Sequence, residues 1–171
     1  MISLALIGCS GDDPSDPPLA DELVELAPND VLTRMSLDLR GVRPSISELE
    51  RIEADPAALD GMIAEYLADE RFGDRVADLF SEVFLTRTES YLVSFEAFDL
   101  EGVAYPDILR SIGDEPLEVI ARIAEDDLPV TDLVTADWTM ADETLAKMWP
   151  VDYPDGATGW QQVHYTDGRP Q

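Results

Sequence analysis

Of the 171 residues, 37 are acidic and 11 basic, a formal charge of −26 at neutral pH. Such a chain repels phosphate backbones instead of displacing their counterions, and repels anionic lipid headgroups for the same reason, so nucleic-acid binding and electrostatic adsorption to membranes are both disfavoured. A single cysteine rules out an internal disulfide and a thiolate-rich zinc or iron–sulfur site, while a 45% hydrophobic content is ordinary for a packed core.

The chain opens on the apolar run Ile2-Ser3-Leu4-Ala5-Leu6-Ile7-Gly8, closed by Cys9 and followed by the acidic, proline-rich stretch from Ser10 to Pro18. Leu6-Ile7-Gly8-Cys9 resembles a bacterial lipoprotein signal, in which a small residue precedes a cysteine that is acylated and becomes the new N-terminus. The resemblance implies a lipidation site at Cys9 and a membrane partner reached through acyl chains, each buried CH₂ contributing about 0.8 kcal/mol. Nothing basic precedes Cys9, and the run is shorter than a usual secretory leader, so residues 1–9 read as a truncated signal. Ser10 in place of aspartate after the cysteine implies sorting to the outer membrane, and hence a lipid-anchored protein of the cell envelope. Residues 10–27 form an acidic linker whose composition buries too little apolar surface to offset chain entropy; a disordered tether is expected.

Residues 28–88 read as successive helices with short breaks. Asn29 or Asp30 is expected to cap a helix carrying Val31, Leu32, Met35 and Leu39, ended by Gly41 and kept from restarting by Pro44. Ser45 with Glu48 has the spacing of a capping box for a second helix through Ile52. Asp55-Pro56 signals a third start, after which Leu59, Met62, Ile63, Tyr66 and Leu67 recur at core-facing helical spacing. Phe72, Val76, Leu79, Phe80, Val83 and Phe84 then mark a longer amphipathic helix, and its stripe and the previous one are expected to bury each other.

Residues 89–149 form a second helical segment. Tyr91, Leu92, Val93, Phe95 and Phe98 lack a clean period, so Ser90 to Gly113 is expected to be a loop or a short helix. Glu115-Pro116 restarts the pattern with Leu117, Ile120, Ala121 and Ala124, closing on Glu125-Asp126-Asp127. Short helices are expected at Asp132 to Val134, with Thr131 as cap, and from Ala141 to Met148. Residues 150–171 are irregular apart from a strand at Trp160 to Tyr165 followed by the turn signal Asp167-Gly168. A strand with so little chain after its turn has no partner, which reads as a chain that stops before its fold does.

The stretch from Leu32 through Arg34, Asp38, Arg40, Gly41 and Pro44 to Ser45 resembles the opening motif of the planctomycete cytochrome-associated domain, a bacterial family of unknown function. The likeness continues through Glu48-Leu49, Met62-Ile63, Leu67-Ala68 and Arg71-Phe72-Gly73-Asp74-Arg75, and covers roughly a third of the chain. From Glu115-Pro116-Leu117 through Trp138-Thr139 to Leu145-Ala146 the chain is similar to a companion domain of large exported proteins. The resemblance implies an exported multidomain protein with envelope proteins, or a cytochrome domain in the same longer polypeptide, as partners. It brings no catalytic residue with it. Arg34, Asp38, Arg40, Gly41, Pro44, Gly73 and Arg75 are implied as family-motif positions of structural purpose. No Cys-x-x-Cys-His occurs, so covalent haem is not expected, and no cofactor is assigned.

Candidate chemistry is sparse. Arg34 and Asp38 lie one turn apart and read first as a surface pair worth about 0.3–0.5 kcal/mol, with Arg40 and Arg43 fixing the loop that follows, and second as an anion-binding position. With so many acids, any pair chosen for glycoside hydrolysis is arbitrary. Neither Glu125-Asp126-Asp127 nor Asp152 with Asp155 has the alternating oxygen-ligand loop of a calcium site. His164, the only histidine, would have to carry any Ser-His-Asp centre alone. Trp138, Trp149 and Trp160 fall at equal intervals, but their flanks do not repeat and they read as buried anchors. The sequence therefore predicts an all-α, bundle-like domain of six to eight helices with a structural or interaction role, lipid-anchored at the front of a larger protein. The alternatives are the non-catalytic part of an extracellular polymer-degrading hydrolase or cytochrome-linked enzyme, and a carbohydrate-binding module.

Overall fold

The computed structural model describes residues 26–90 and 95–169; Cys9, the linker up to residue 25 and the Tyr91-Leu92-Val93 run lie outside the described residues. Among these are seven α-helices, two single 3₁₀ turns and a two-stranded antiparallel sheet, so the chain is all-α as expected. The helices are α1 Pro28–Arg40, α2 Ile46–Ala54, α3 Leu59–Leu67, α4 Arg71–Phe84, α5 Tyr105–Glu125, α6 Asp132–Thr135 and α7 Glu143–Ala146. The strands are β1 Thr139–Ala141 and β2 Gln161–Val163.

Local chemistry sets most boundaries. Pro28 at the first turn starts α1 behind Ala27, and neither Asn29 nor Asp30 caps it. Proline supplies the helical φ and lacks an N–H that would need a partner. Gly41 ends α1 in the left-handed conformation (φ 69°), and its N–H returns to the Leu37 carbonyl. The Ser45/Glu48 capping box forms in full at the start of α2. Asp55 accepts from the Ala57 N–H and opens a 3₁₀ turn, Pro56–Ala58, that leads into α3. Leu32, Ile52, Met62 and Tyr66 then close a core shared by α1, α2 and α3, each contributing about 1.5–3 kcal/mol by leaving water.

The second half departs from expectation in two places. Helix α5 begins at Tyr105 behind Ala104, about ten residues before Glu115, and runs straight through Pro116. Pro106 at its first turn is the true start signal, and Ile108, Leu109, Leu117, Ile120 and Ala121 form the buried face. Pro116 costs the helix one i→i−4 hydrogen bond, a loss that burial on both sides of it outweighs. Between Phe95 and Val103 the described chain forms the short 3₁₀ turn Phe95–Ala97 and a turn at Glu101-Gly102.

Strand β2 does have a partner, contrary to the expectation of an unpaired edge. Thr139, Met140 and Ala141 pair with Val163, Gln162 and Gln161, and Val151 bridges Tyr165. Ala141 thus belongs to β1, and α7 starts at Glu143 with Asp142 as its cap, accepting from Thr144 N and Leu145 N at 3.0 and 2.8 Å. The same carboxylate accepts from Ser111 Oγ, which ties α7 to α5. Thr131 occupies the cap position of α6 without a side-chain bond.

Helices α4 and α5 pack through small residues. Gly73 and Ala77 of α4 are buried, and Ala77 sits against Leu117 and Ala121. At the other end of the pair Gly113 lies under the chain leaving α4: a Cβ there would stand 2.7 Å from the Thr86 carbonyl oxygen and 3.3 Å from Arg87 Cα. A Cβ at Gly73 would meet only the movable end of the Glu125 side chain. Gly113→Ala should therefore lower stability by about 1–2 kcal/mol, overpacking outweighing the helix-propensity gain. Gly73→Ala should be close to neutral; urea denaturation of the two variants distinguishes a backbone contact from a side-chain one.

Candidate functional site

The motif positions singled out in the sequence converge only in part. Arg34 and Asp38 stand 3.7 Å apart with side chains 76% and 66% exposed, a weak surface pair. Arg40 is nearly buried. Its Nη1 lies 3.0 Å from Glu48 Oε1 and 3.5 Å from Asp69 Oδ2, its Nη2 donates to Ser36 Oγ at 2.7 Å, and the guanidinium sits 3.6 Å above the Tyr66 ring. Ser36 Oγ in turn donates to the Val42 carbonyl at 2.7 Å. One arginine thus joins α1, the loop through Pro44, the α2 cap and the α3–α4 junction. Burial would raise the Glu48 pKa, but the Ser45 N–H and hydroxyl and the Arg40 guanidinium together hold it down at about 2. Arg40→Met should cost about 2–3 kcal/mol by stranding Glu48 and Asp69. Arg40→Lys should recover only part of this, since an ammonium cannot fork between them; a thermal melt of both variants checks it.

Gly41 and Arg75 meet where α4 crosses α1, a Cβ on Gly41 standing 3.4 Å from Arg75 Cδ. Pro44 lies in the α1–α2 loop just before the capping box, and Arg43 makes no ion pair among the described residues. The sequence reading missed Arg87 and Gly113, which define the α4–α5 seam. Arg87 Nε lies 2.5 Å from Asp114 Oδ1 and its Nη1 2.9 Å from Asp78 Oδ1, so one side chain links both helices. A cleft of about 710 Å³ opens on one side of it, lined by Thr88, Tyr105, Leu109 and Arg110 among others. A second depression of about 630 Å³ lies on the other side, between Arg75, Asp78, Leu79 and Glu82.

The most distinctive surface is the apolar side of α4. Its stripe was expected to be buried, yet Leu79, Phe80, Val83, Phe84 and the following Leu85 are all exposed. Phe80 and Phe84 stack on each other with ring centroids 5.7 Å apart. The small-residue side of the helix faces α5 instead, and that choice leaves the large residues outside.

Carboxylates are drawn into the same seam. Burial pushes Glu118 up to about 7, with Asp114, Asp74 and Glu125 adding to the rise and Arg87 only partly offsetting it. Burial also raises Glu115, against the bond it accepts from the Thr139 hydroxyl, and raises Glu125 despite Arg122. Among the described residues no group of three or more His, Cys, Asp or Glu is placed to hold a metal ion. His164 lies on the surface, 3.6 Å from Asp152 and 4.0 Å from Asp137. Trp138 packs with Val119, Ile123 and Met140, while Trp149 and Trp160 pack against Leu145 and Val163, so the tryptophans present no row of open rings. No helix among the described residues is long and apolar enough to cross a membrane.

No family model matches the chain, and no curated protein and no solved structure matches it. Among the described residues the geometry shows a helical body in which Arg40 and Arg87 are held by carboxylates and the large apolar side chains of α4 are exposed. The clefts beside Arg87 can hold a ligand; nothing around them pairs a nucleophile with a base among the described residues.

The raised Glu118 pKa makes stability depend on pH with a definite sign. Between pH 4.5 and 7 the folded chain holds a proton that the unfolded chain has released, so stability falls as pH rises through that window. At about 1.4 kcal/mol per pKa unit the ceiling is about 3 kcal/mol, which solvent access to this partly buried group reduces to about 1 kcal/mol. Glu118→Gln should be more stable than the parent at pH 8 by that amount and equal to it at pH 4; denaturant titrations at the two pH values provide the check.

Proposed function

We propose that this chain is a membrane-tethered interaction domain of the cell envelope. Acyl chains on Cys9 hold it to the outer membrane, the acidic stretch over residues 10–27 supplies reach, and the helical body engages other envelope proteins or further domains of the same polypeptide. The observation that carries the interaction role is the outward apolar side of α4, where Leu79, Phe80, Val83, Phe84 and the following Leu85 are exposed together, Val83 at 68% and Leu85 at 72%. Contiguous apolar surface of that kind marks a contact site more often than it marks an ordinary monomer surface. The anchor rests on the Leu6-Ile7-Gly8-Cys9 sequence and on the likeness to exported multidomain proteins. The commitment of Arg40, Arg87 and their carboxylates to structural pairs supports contact over turnover. The sugar-binding alternative needs exposed stacked rings, and the packed tryptophans offer none.

Cells expressing the protein with its natural flanking sequence and fed an alkyne-tagged fatty acid should place the tag on the chain and the chain in the membrane fraction. Cys9→Ser should lose both. Detergent extracts of the parent should sediment as an assembly heavier than the polypeptide itself. An untagged, soluble parent overturns the anchor, and specific turnover of an envelope polymer by the purified chain overturns the interaction role.

A further inference from the structure

We propose that the exposed side of α4 is the docking surface for a single cationic amphipathic helix of a partner protein, an inference that rests on the interaction role above. The anchors are Leu79, Phe80, Val83 and Phe84 at successive helical turns, 47%, 37%, 68% and 49% exposed. That spacing gathers the four on one face of α4 as a ridge against which the apolar face of a second helix can pack.

Leu85 adds an independent observation. It ends α4 with φ 53°, a left-handed conformation in which a leucine is strained and a glycine is not, while its N–H closes the helix on the Ser81 carbonyl. A strained cap position occupied by a large, exposed apolar side chain is explained if the side chain is there to be covered.

Size and charge choose the occupant. Five partly exposed side chains present roughly a few hundred Å², the scale of one helix face and well below the ~800 Å² per partner of a stable globular interface. A second copy would bring another −26 against this one, and an anionic lipid surface is repelled in the same way. On α4 and the chain just after it the exposed carboxylates Asp78, Glu82 and Glu89 outnumber Arg75 and Arg87, and Arg87 is already held between Asp78 and Asp114. Lysine or arginine flanking an apolar stripe is the complementary chemistry.

The probe is a fluorescent synthetic helix of about 18 residues with leucine on one face and lysine and arginine on the others; a matched peptide with glutamate in place of the basic residues is the control. Anisotropy titration of the full chain should give saturable one-to-one binding of the basic peptide only. Val83→Asp should weaken it at least about tenfold although it adds negative charge, and Glu82→Lys should weaken it severalfold and flatten its salt dependence. Both positions are exposed, so unchanged circular dichroism melts separate lost docking from lost fold. Equal or tighter binding by Val83→Asp would mean adsorption by charge alone and would overturn the proposal. Self-association, or binding to phosphatidylcholine vesicles, that Val83→Asp abolishes would overturn the occupant while leaving the interaction role intact.

Discussion

The close approach of α4 and α5 governs the rest of this molecule. Ala77 of α4 packs against Leu117 and Ala121, Gly73 leaves room for the Glu125 side chain, and Gly113 admits the backbone that leaves α4 at Thr86. A helix has one direction in which to be close to its neighbour. Because the small residues take that direction, the phenylalanines and leucines on the adjoining arc of α4 are turned outward. The same proximity shields Glu118 from water beside the charges of Asp114, Asp74 and Glu125. An apolar surface and a protonated carboxylate near neutral pH are two results of one packing choice.

Arg40 plays the corresponding part in the first half. Helices α1, α2 and α3 are short, and helices of their length are marginal by themselves. A small shared core and one delocalised cation reaching Glu48, Asp69, Ser36 and the Tyr66 ring hold them together. The planar guanidinium satisfies several acceptors at fixed angles, so it sets orientation as well as contributing energy.

What was legible in the sequence was local. The Ser45/Glu48 box, the Gly41 stop and the core spacing of Leu32, Met62 and Tyr66 are each written within a few residues, and the structure places them as read. Less legible was anything decided by a distant neighbour. Pro116 has the look of a helix start, yet it is tolerated inside α5 because Leu117, Val119 and Ile120 are buried beyond it. Periodicity revealed that α4 is amphipathic but not which arc would pack, since the deciding residues, Gly73 and Ala77, carry little hydrophobic signal. Strand β2 seemed unpaired because its partner, Thr139–Ala141, reads as the approach to a helix and lies beyond a turn-rich connection. The seam arginine Arg87 was invisible for the same reason: its carboxylates come from two helices separated in the chain.

The two halves also differ in when they can form. Every member of the first core lies between Leu32 and Tyr66, so its contacts are short in sequence and can close soon after that stretch leaves the ribosome. The β1–β2 pair is different, since Thr139 waits for Val163, and Ala141 and Leu145 wait with it. During synthesis, then, α4 stands on a finished first half while the second is incomplete. For that interval its apolar surface and the small-residue side meant for α5 are open together, which makes this helix the place where an ordered early intermediate is most exposed to premature association.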